Sequence, residues 1–402
     1  MKIKKLFSLI IYYIFLWGLL PGVILYDFIA KNGFTYTDEL LAFFIVIFYI
    51  IRAVSQKKIS KELILFSVIA CFYLFYSFYI HVNVKNAILL DFFIQVKPFL
   101  TFYCIYNLPV FLTVRQRSSI KYICILFAGI FLLLGLSGES NLFYFMGHPS
   151  RFATAVTVLG LMYFYCSKRR KKDIWIMLGI LSIGLLSFKS KFYAFYAACI
   201  CIFLFFNLKE KGTFSPRLIV ISFVSAVLIG YVSWSKFSYY FIEGMKNEDN
   251  MFARPALYVN SYYILNDYFP FGSGFGSYAT FASAQYYSPI YYQYHMNKLH
   301  GLSPAYSSFI ADTYYPVMAQ FGYVGVFLLI LFWYGIYKKA KRNYSQTLDI
   351  QLYKTSLLII LFFIIESTSD STFTHNRGMY VMMILAMLLA EGKEKASLAM
   401  KQ

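Results

Sequence analysis

Arg151, Lys189, Lys191, Arg254 and Arg377 sit alone or in pairs between apolar runs, away from the basic clusters that hold most Lys and Arg of this chain. A guanidinium presents a planar fork of donors that matches phosphate oxygens, and Lys supplies a compact charge. Cations of this kind, gathered from separate segments, would make an anion site. Asp312 stands where a long polar segment meets an apolar run, and its carboxylate could take a proton from a sugar hydroxyl. His300 is the second choice for that role, since a neutral imidazole is a general base. Glu366 and Asp370 are alternatives for the same role. Each group also has a plainer use. A base beside an apolar run can snorkel to lipid headgroups, and Asp312 can cap the helix that follows it.

The elements that must position these residues are membrane-spanning helices. Of 402 residues, 60% are hydrophobic and only 14% charged, too few for a soluble surface. Long apolar runs recur throughout, and runs of roughly 20 residues select helices over barrel strands. An all-α, polytopic bundle of about twelve spans is expected, near 5–29, 38–54, 62–81, 87–112, 118–137, 152–167, 174–188, 191–208, 218–235, 313–337, 351–367 and 378–391. If the N-terminus is cytoplasmic, inside segments hold 26 of the 37 Lys and Arg. The net charge of +19 is then mainly a topology signal, and nucleic acid is not needed to explain it. The five cations above all fall on the outer side, against the rule.

Three regions follow. Residues 1–235 hold about nine spans, 236–312 form one long external loop, and 313–402 hold about three spans and a cytoplasmic tail. The loop carries thirteen tyrosines, so short amphipathic helices are expected within it rather than a disordered linker. Its glycines at Gly272, Gly274 and Gly276 read as a tight turn where the chain re-enters. Asp91 and Lys97 share one span but not one face, so they do not pair with each other. Lys97 precedes Pro98, which predicts a kink or break. The six cysteines all lie in apolar runs, and no disulfide framework or metal cluster is expected.

In this order the features resemble the O-antigen polymerase and O-antigen ligase superfamily. The pieces are Ser187-Phe188-Lys189-Ser190-Lys191, then Arg254-Pro255 leading to Pro270-Phe271-Gly272-Ser273-Gly274, then Asp312-Thr313-Tyr314-Tyr315 leading to Gly322-Tyr323-Val324-Gly325. The similarity covers about residues 147–390. Lys stands where the family often has Arg in the hairpin. No ligase-type His precedes Asp312, which favours polymerase over ligase.

The resemblance implies a membrane glycosyltransferase of the bacterial inner membrane that polymerises O-antigen or capsular repeat units. Undecaprenyl-diphosphate-linked glycans would be donor and acceptor, with no cofactor and no metal. A chain-length regulator membrane protein and membrane lipid would be its partners. Arg254, Arg377, Arg151, Lys189 and Lys191 would hold the diphosphate or glycan, and tyrosines of the loop would present ring faces to sugars. The rival readings are a lipid-linked oligosaccharide flippase and an O-antigen ligase.

Overall fold

The computed structural model describes residues 2–57, 59–108, 111–206, 230, 234–235, 238–245 and 251–399. Among these the regular structure is helical, with a single isolated bridge at Ser303 and Tyr306 and no strand. The helices are α1 (Lys2–Leu19), α2 (Tyr26–Lys31), α3 (Thr37–Gln56), α4 (Lys61–Ile80), α5 (Lys85–Tyr106), α6 (Val114–Leu136), α7 (Glu139–Met146), α8 (Pro149–Cys166), α9 (Lys171–Ser182) and α10 (Ser190–Ile200). After the long loop's helices α11 (Ala253–Asp267), α12 (Phe281–Gln285) and α13 (Ile290–Gln293) come α14 (Gly322–Thr347), α15 (Ile350–Glu366) and α16 (Asn376–Ala399). A helix stands at every stretch expected to span except 218–235, most of which lies outside the described residues. Among the described residues, five helical stretches are both long and apolar enough to cross a membrane: Leu6–Ile24, Lys61–Ile80, Lys85–Tyr106, Val114–Leu136 and Tyr315–Thr347.

Local sequence starts several of these helices. Ser60 accepts from the Leu63 N–H ahead of α4, and Asp349 accepts from the Leu352 N–H ahead of α15. Thr113 and Gln116 form a reciprocal capping box at α6. The centre of the bundle is α8 with α16. In α8 every residue but Arg151 is buried, and α16 is buried without interruption from Asn376 to Gly392. Accordingly α16 packs on α5, α8, α14 and α15, while α8 packs on α6 and α9.

Residues 253–321 form a folded cap with its own interior. Tyr278 and Tyr291 are fully buried. The Tyr278 hydroxyl donates to the Leu257 carbonyl at 2.7 Å, and the Tyr291 hydroxyl accepts from the Ala279 N–H at 2.8 Å. Those tyrosines are structural, whereas Tyr262, Tyr292 and Tyr306 are exposed. The cap is fastened by its glycine turn. Gly272, Gly274 and Gly276 all adopt positive φ, which glycine alone tolerates freely. Asp91 on α5, buried in the bundle, accepts from the Gly276 N–H at 2.8 Å and from Gln320 Nε2 at 2.9 Å. Ser77 Oγ on α4 accepts from the Phe275 N–H, and Asn83 donates to the Gly276 carbonyl. Asp91 thus clasps the cap to the bundle.

Two local expectations differ from what is found. Helix α5 runs unbroken through Pro98. Asp312 does not cap the following span, because a 3-10 turn over Tyr315–Phe321 intervenes and α14 starts only at Gly322.

Candidate functional site

One end of the bundle gathers charges from segments far apart in sequence. Asp27 on α2 takes a guanidinium on each oxygen. Arg151 NH1 donates to Oδ1 at 2.7 Å, and Arg377 donates to Oδ2. These contacts cross 124 and 350 residues of sequence. The Arg377 side chain is 5% exposed and that of Arg151 is 50% exposed, so one fork is locked inside while the other reaches solvent. Asn376, beside Arg377, donates to the Gly22 carbonyl in the irregular turn that follows α1 and fixes the start of α16 there.

A second cluster surrounds Lys191 near the start of α10. Its Nζ lies 2.8 Å from Glu366 Oε1 and 2.8 Å from Asp370 Oδ2. The Thr372 hydroxyl stands between the same carboxylates, 2.8 Å from Asp370 Oδ1 and 3.1 Å from Glu366 Oε1. Desolvation works to raise Asp370, but Lys191 overcomes it with help from His375 and Thr372 and holds the carboxyl down at about 2. Lys191 is therefore engaged on two sides rather than open to an anion. Lys189 is the N-cap residue of α10 and acts electrostatically on His148.

The third pair is Arg254 with Asp312. The Arg254 guanidinium also lies 5.3 Å from the Tyr240 ring centre. Their segments are stitched to the α15–α16 connection: Ser371 Oγ donates to the Ala311 carbonyl at 2.8 Å, the Tyr314 N–H donates to Ser367, and the Tyr258 hydroxyl donates to Thr368. Desolvation raises the Asp312 carboxyl despite the adjacent Arg254, and Asp370 adds to the rise. A fourth cluster, Lys97 with Asp38 and Glu39 of α3, stands behind these.

Two histidines face this end. His148 Nδ1 accepts from the Ser150 N–H at 3.1 Å, and desolvation lowers its pKa, with Lys189, Lys191 and Arg151 contributing. His375 is exposed between the buried neighbours Thr374 and Asn376. Crowding, opposed by Asp370 and reinforced by Arg151, Lys97 and Arg377, pushes its pKa down to about 4. It is a neutral imidazole above that pH.

The structure brings together Arg151, Arg377, Lys191, Arg254 and Asp312 from the sequence candidates, with Lys189 beside them. It does not add His300, whose ring packs 4.9 Å from Tyr306 and 6.2 Å from Phe309 in an exposed loop of the cap. Sequence reasoning missed Asp27, Asp38, Glu39, His148 and His375. The two histidines were signalled, since each lies within three residues of a chosen arginine.

Apolar space adjoins the charged end. Among the described residues, a cavity of about 780 Å³ lies between α10, α14 and α15, lined by Ala194, Ala198, Trp333, Leu361, Ser367 and Phe373 among others. Ala194 lies three residues after Lys191 on α10 and Ser367 directly follows Glu366, so the cavity begins beside the Lys191 cluster. A second cavity, of about 380 Å³, lies between α4, α5 and α14, and Tyr314 and Leu329 line both. Such a pairing suits an amphiphile with an anionic head and a hydrocarbon tail. No protein-family model matches the chain, and no curated protein matches it.

Proposed function

We propose that this protein is a polytopic inner-membrane glycosyltransferase that joins undecaprenyl-diphosphate-linked repeat units into a surface polysaccharide. One observation carries the reading: ion pairs built from five distant segments converge at one end of the bundle, beside an apolar cavity. The remaining finer expectations belong to the same reading. About twelve helices span the membrane, both termini are cytoplasmic, and the charged end with the long loop (236–312) faces outward, between an N-terminal block (1–235) and a C-terminal block (313–402).

In this reading the isoprenoid tail occupies the apolar cavity and the diphosphate meets Arg151 and Arg254, with Arg377 locked behind Arg151 through their shared Asp27. Charge develops on the diphosphate as the glycosidic bond breaks, and fixed cations stabilise it most at that moment. The carboxylates hold those cations in place before substrate arrives, so little reorganisation is needed during reaction. Asp312 and His375 are the groups at this mouth able to accept the acceptor's hydroxyl proton. A chain-length regulator would meet the exposed cap. No cofactor enters the scheme.

Deleting the gene should leave single repeat units on the cell surface. Arg254→Ala should abolish polymer while the protein inserts at normal levels. Loss of all surface sugar, with lipid-linked units trapped inside, would instead identify a flippase, and normal chain growth in Arg254→Ala would remove the diphosphate role.

A further inference from the structure

We propose that His375 is the proton acceptor for the acceptor sugar hydroxyl, a role that rests on the polymerase reading and that no sequence motif assigned. His375 ends the 3-10 turn Thr372–Thr374 and immediately precedes α16. Its neighbours are fixed. Phe373 packs in an aromatic cluster with Phe99, Tyr314 and Phe363, Thr374 Oγ1 donates to the Ser371 carbonyl at 3.0 Å, and Asn376 is bonded to Gly22. A side chain exposed from so rigid a stretch is pre-positioned for a partner.

The charges around it come from every element packed there. Asp370, Arg151 on α8, Lys97 on α5 and Arg377 on its own helix act on it, and each is paired in turn: Asp370 with Lys191 of α10 (which also holds Glu366), Arg151 and Arg377 with Asp27 of α2, and Lys97 with Asp38 and Glu39 of α3. The rival bases are worse placed. Asp312 already accepts from Arg254, and His300 packs against Tyr306 and Phe309.

The step balances without a further reactant. The acceptor hydroxyl oxygen bonds to the donor's anomeric carbon. The bond from that carbon to the diphosphate oxygen breaks, and its electron pair leaves with undecaprenyl diphosphate. The hydroxyl proton passes to a ring nitrogen of His375 and then to solvent, which the exposed ring can reach. Crowding first, and then Arg151, Lys97 and Arg377, keep the free imidazole unprotonated. A bound diphosphate would offset those cations and make the imidazole a stronger base only when donor is present.

The test uses the full-length protein in liposomes, fed lipid-linked repeat units extracted from source cells that lack this gene. Wild type should polymerise them, and the acid limb of kcat should lie at higher pH than that of kcat/KM, because the first reports the complex and the second the free protein. His375→Gln should lower kcat by about 100-fold or more and remove the acid limb, with KM within roughly threefold of wild type. His375→Ala should behave alike, and normal detergent-extracted yield of either variant shows that it folds. Activity within about twofold of wild type with the limb intact would overturn the role of His375 and leave the polymerase reading standing. A wild-type protein inert towards these units would overturn that reading and this one together.

Discussion

Asp27 shows how one residue can organise a site it was never expected to join. Its side chain is 4% exposed, and it holds one arginine that is buried and one that is half-exposed. Removing one partner of a buried pair costs about 3–5 kcal/mol, because the remaining charge stays desolvated. An exposed partner is worth roughly 1 kcal/mol or less. Asp27→Asn should therefore lower the melting temperature in detergent markedly, while Arg151→Ala should barely move it. Equal losses from the two variants would mean that Asp27 does not organise the buried arginine. Asp27, Asp38 and Glu39 were illegible in sequence for a physical reason. Asp38 and Glu39 lie in the first turn of α3, where acids are explained by the helix dipole alone. Their real partner, Lys97, is 59 and 58 residues away. The cations were legible because the positive-inside rule makes an outer base anomalous by itself.

At the scale of elements, hydropathy located most helices but could not order them by depth. The central α8 and α16 are no more apolar in sequence than the peripheral α4, which is largely exposed along its length. Depth comes from packing, and packing is a tertiary property. The glycine turn was legible as a turn but not as a fastening, since Asp91, Ser77, Asn83 and Gln320 reach it from remote positions. Its tightest point is Gly272 against Gly322. Both have positive φ, and a Cβ at Gly272 would collide with the backbone of Gly322 and Gln320. Backbone atoms cannot swing aside as a flexible side chain can. Gly272→Ala should therefore loosen the whole cap, seen as protease cleavage within residues 253–321 of the membrane-inserted protein at concentrations that leave wild type intact. Glycine 129, on α6, has nothing within 4 Å of its Cβ direction, so Gly129→Ala is the matched control and should be silent. Cleavage of both variants, or of neither, would remove the fastening role of the turn.

For the whole molecule, the two ends of the bundle carry different kinds of charge order. The site end uses ion pairs to hold cations around a hollow. The opposite end carries a surplus of bases, with Arg117, Arg169 and Lys395 tied to Glu391 and Lys395 also to Asp349. There Asp349 stays below its usual range although desolvation opposes this, because Lys395 and Arg169 lie beside it. Surplus bases at one end and balanced pairs at the other are what insertion with the basic end retained in the cytoplasm would select. Labelling decides the direction. Five of the six cysteines are buried, so replacing Cys71 with Ala leaves a background suited to a membrane-impermeant maleimide. Ala305→Cys, exposed in the cap, should label in intact spheroplasts. Ser345→Cys, exposed near the basic end of α14, should label only after permeabilisation. The reverse pattern would put the charged hollow in the cytoplasm, where lipid-linked repeat units are built rather than joined, and the polymerase reading would fall with the orientation.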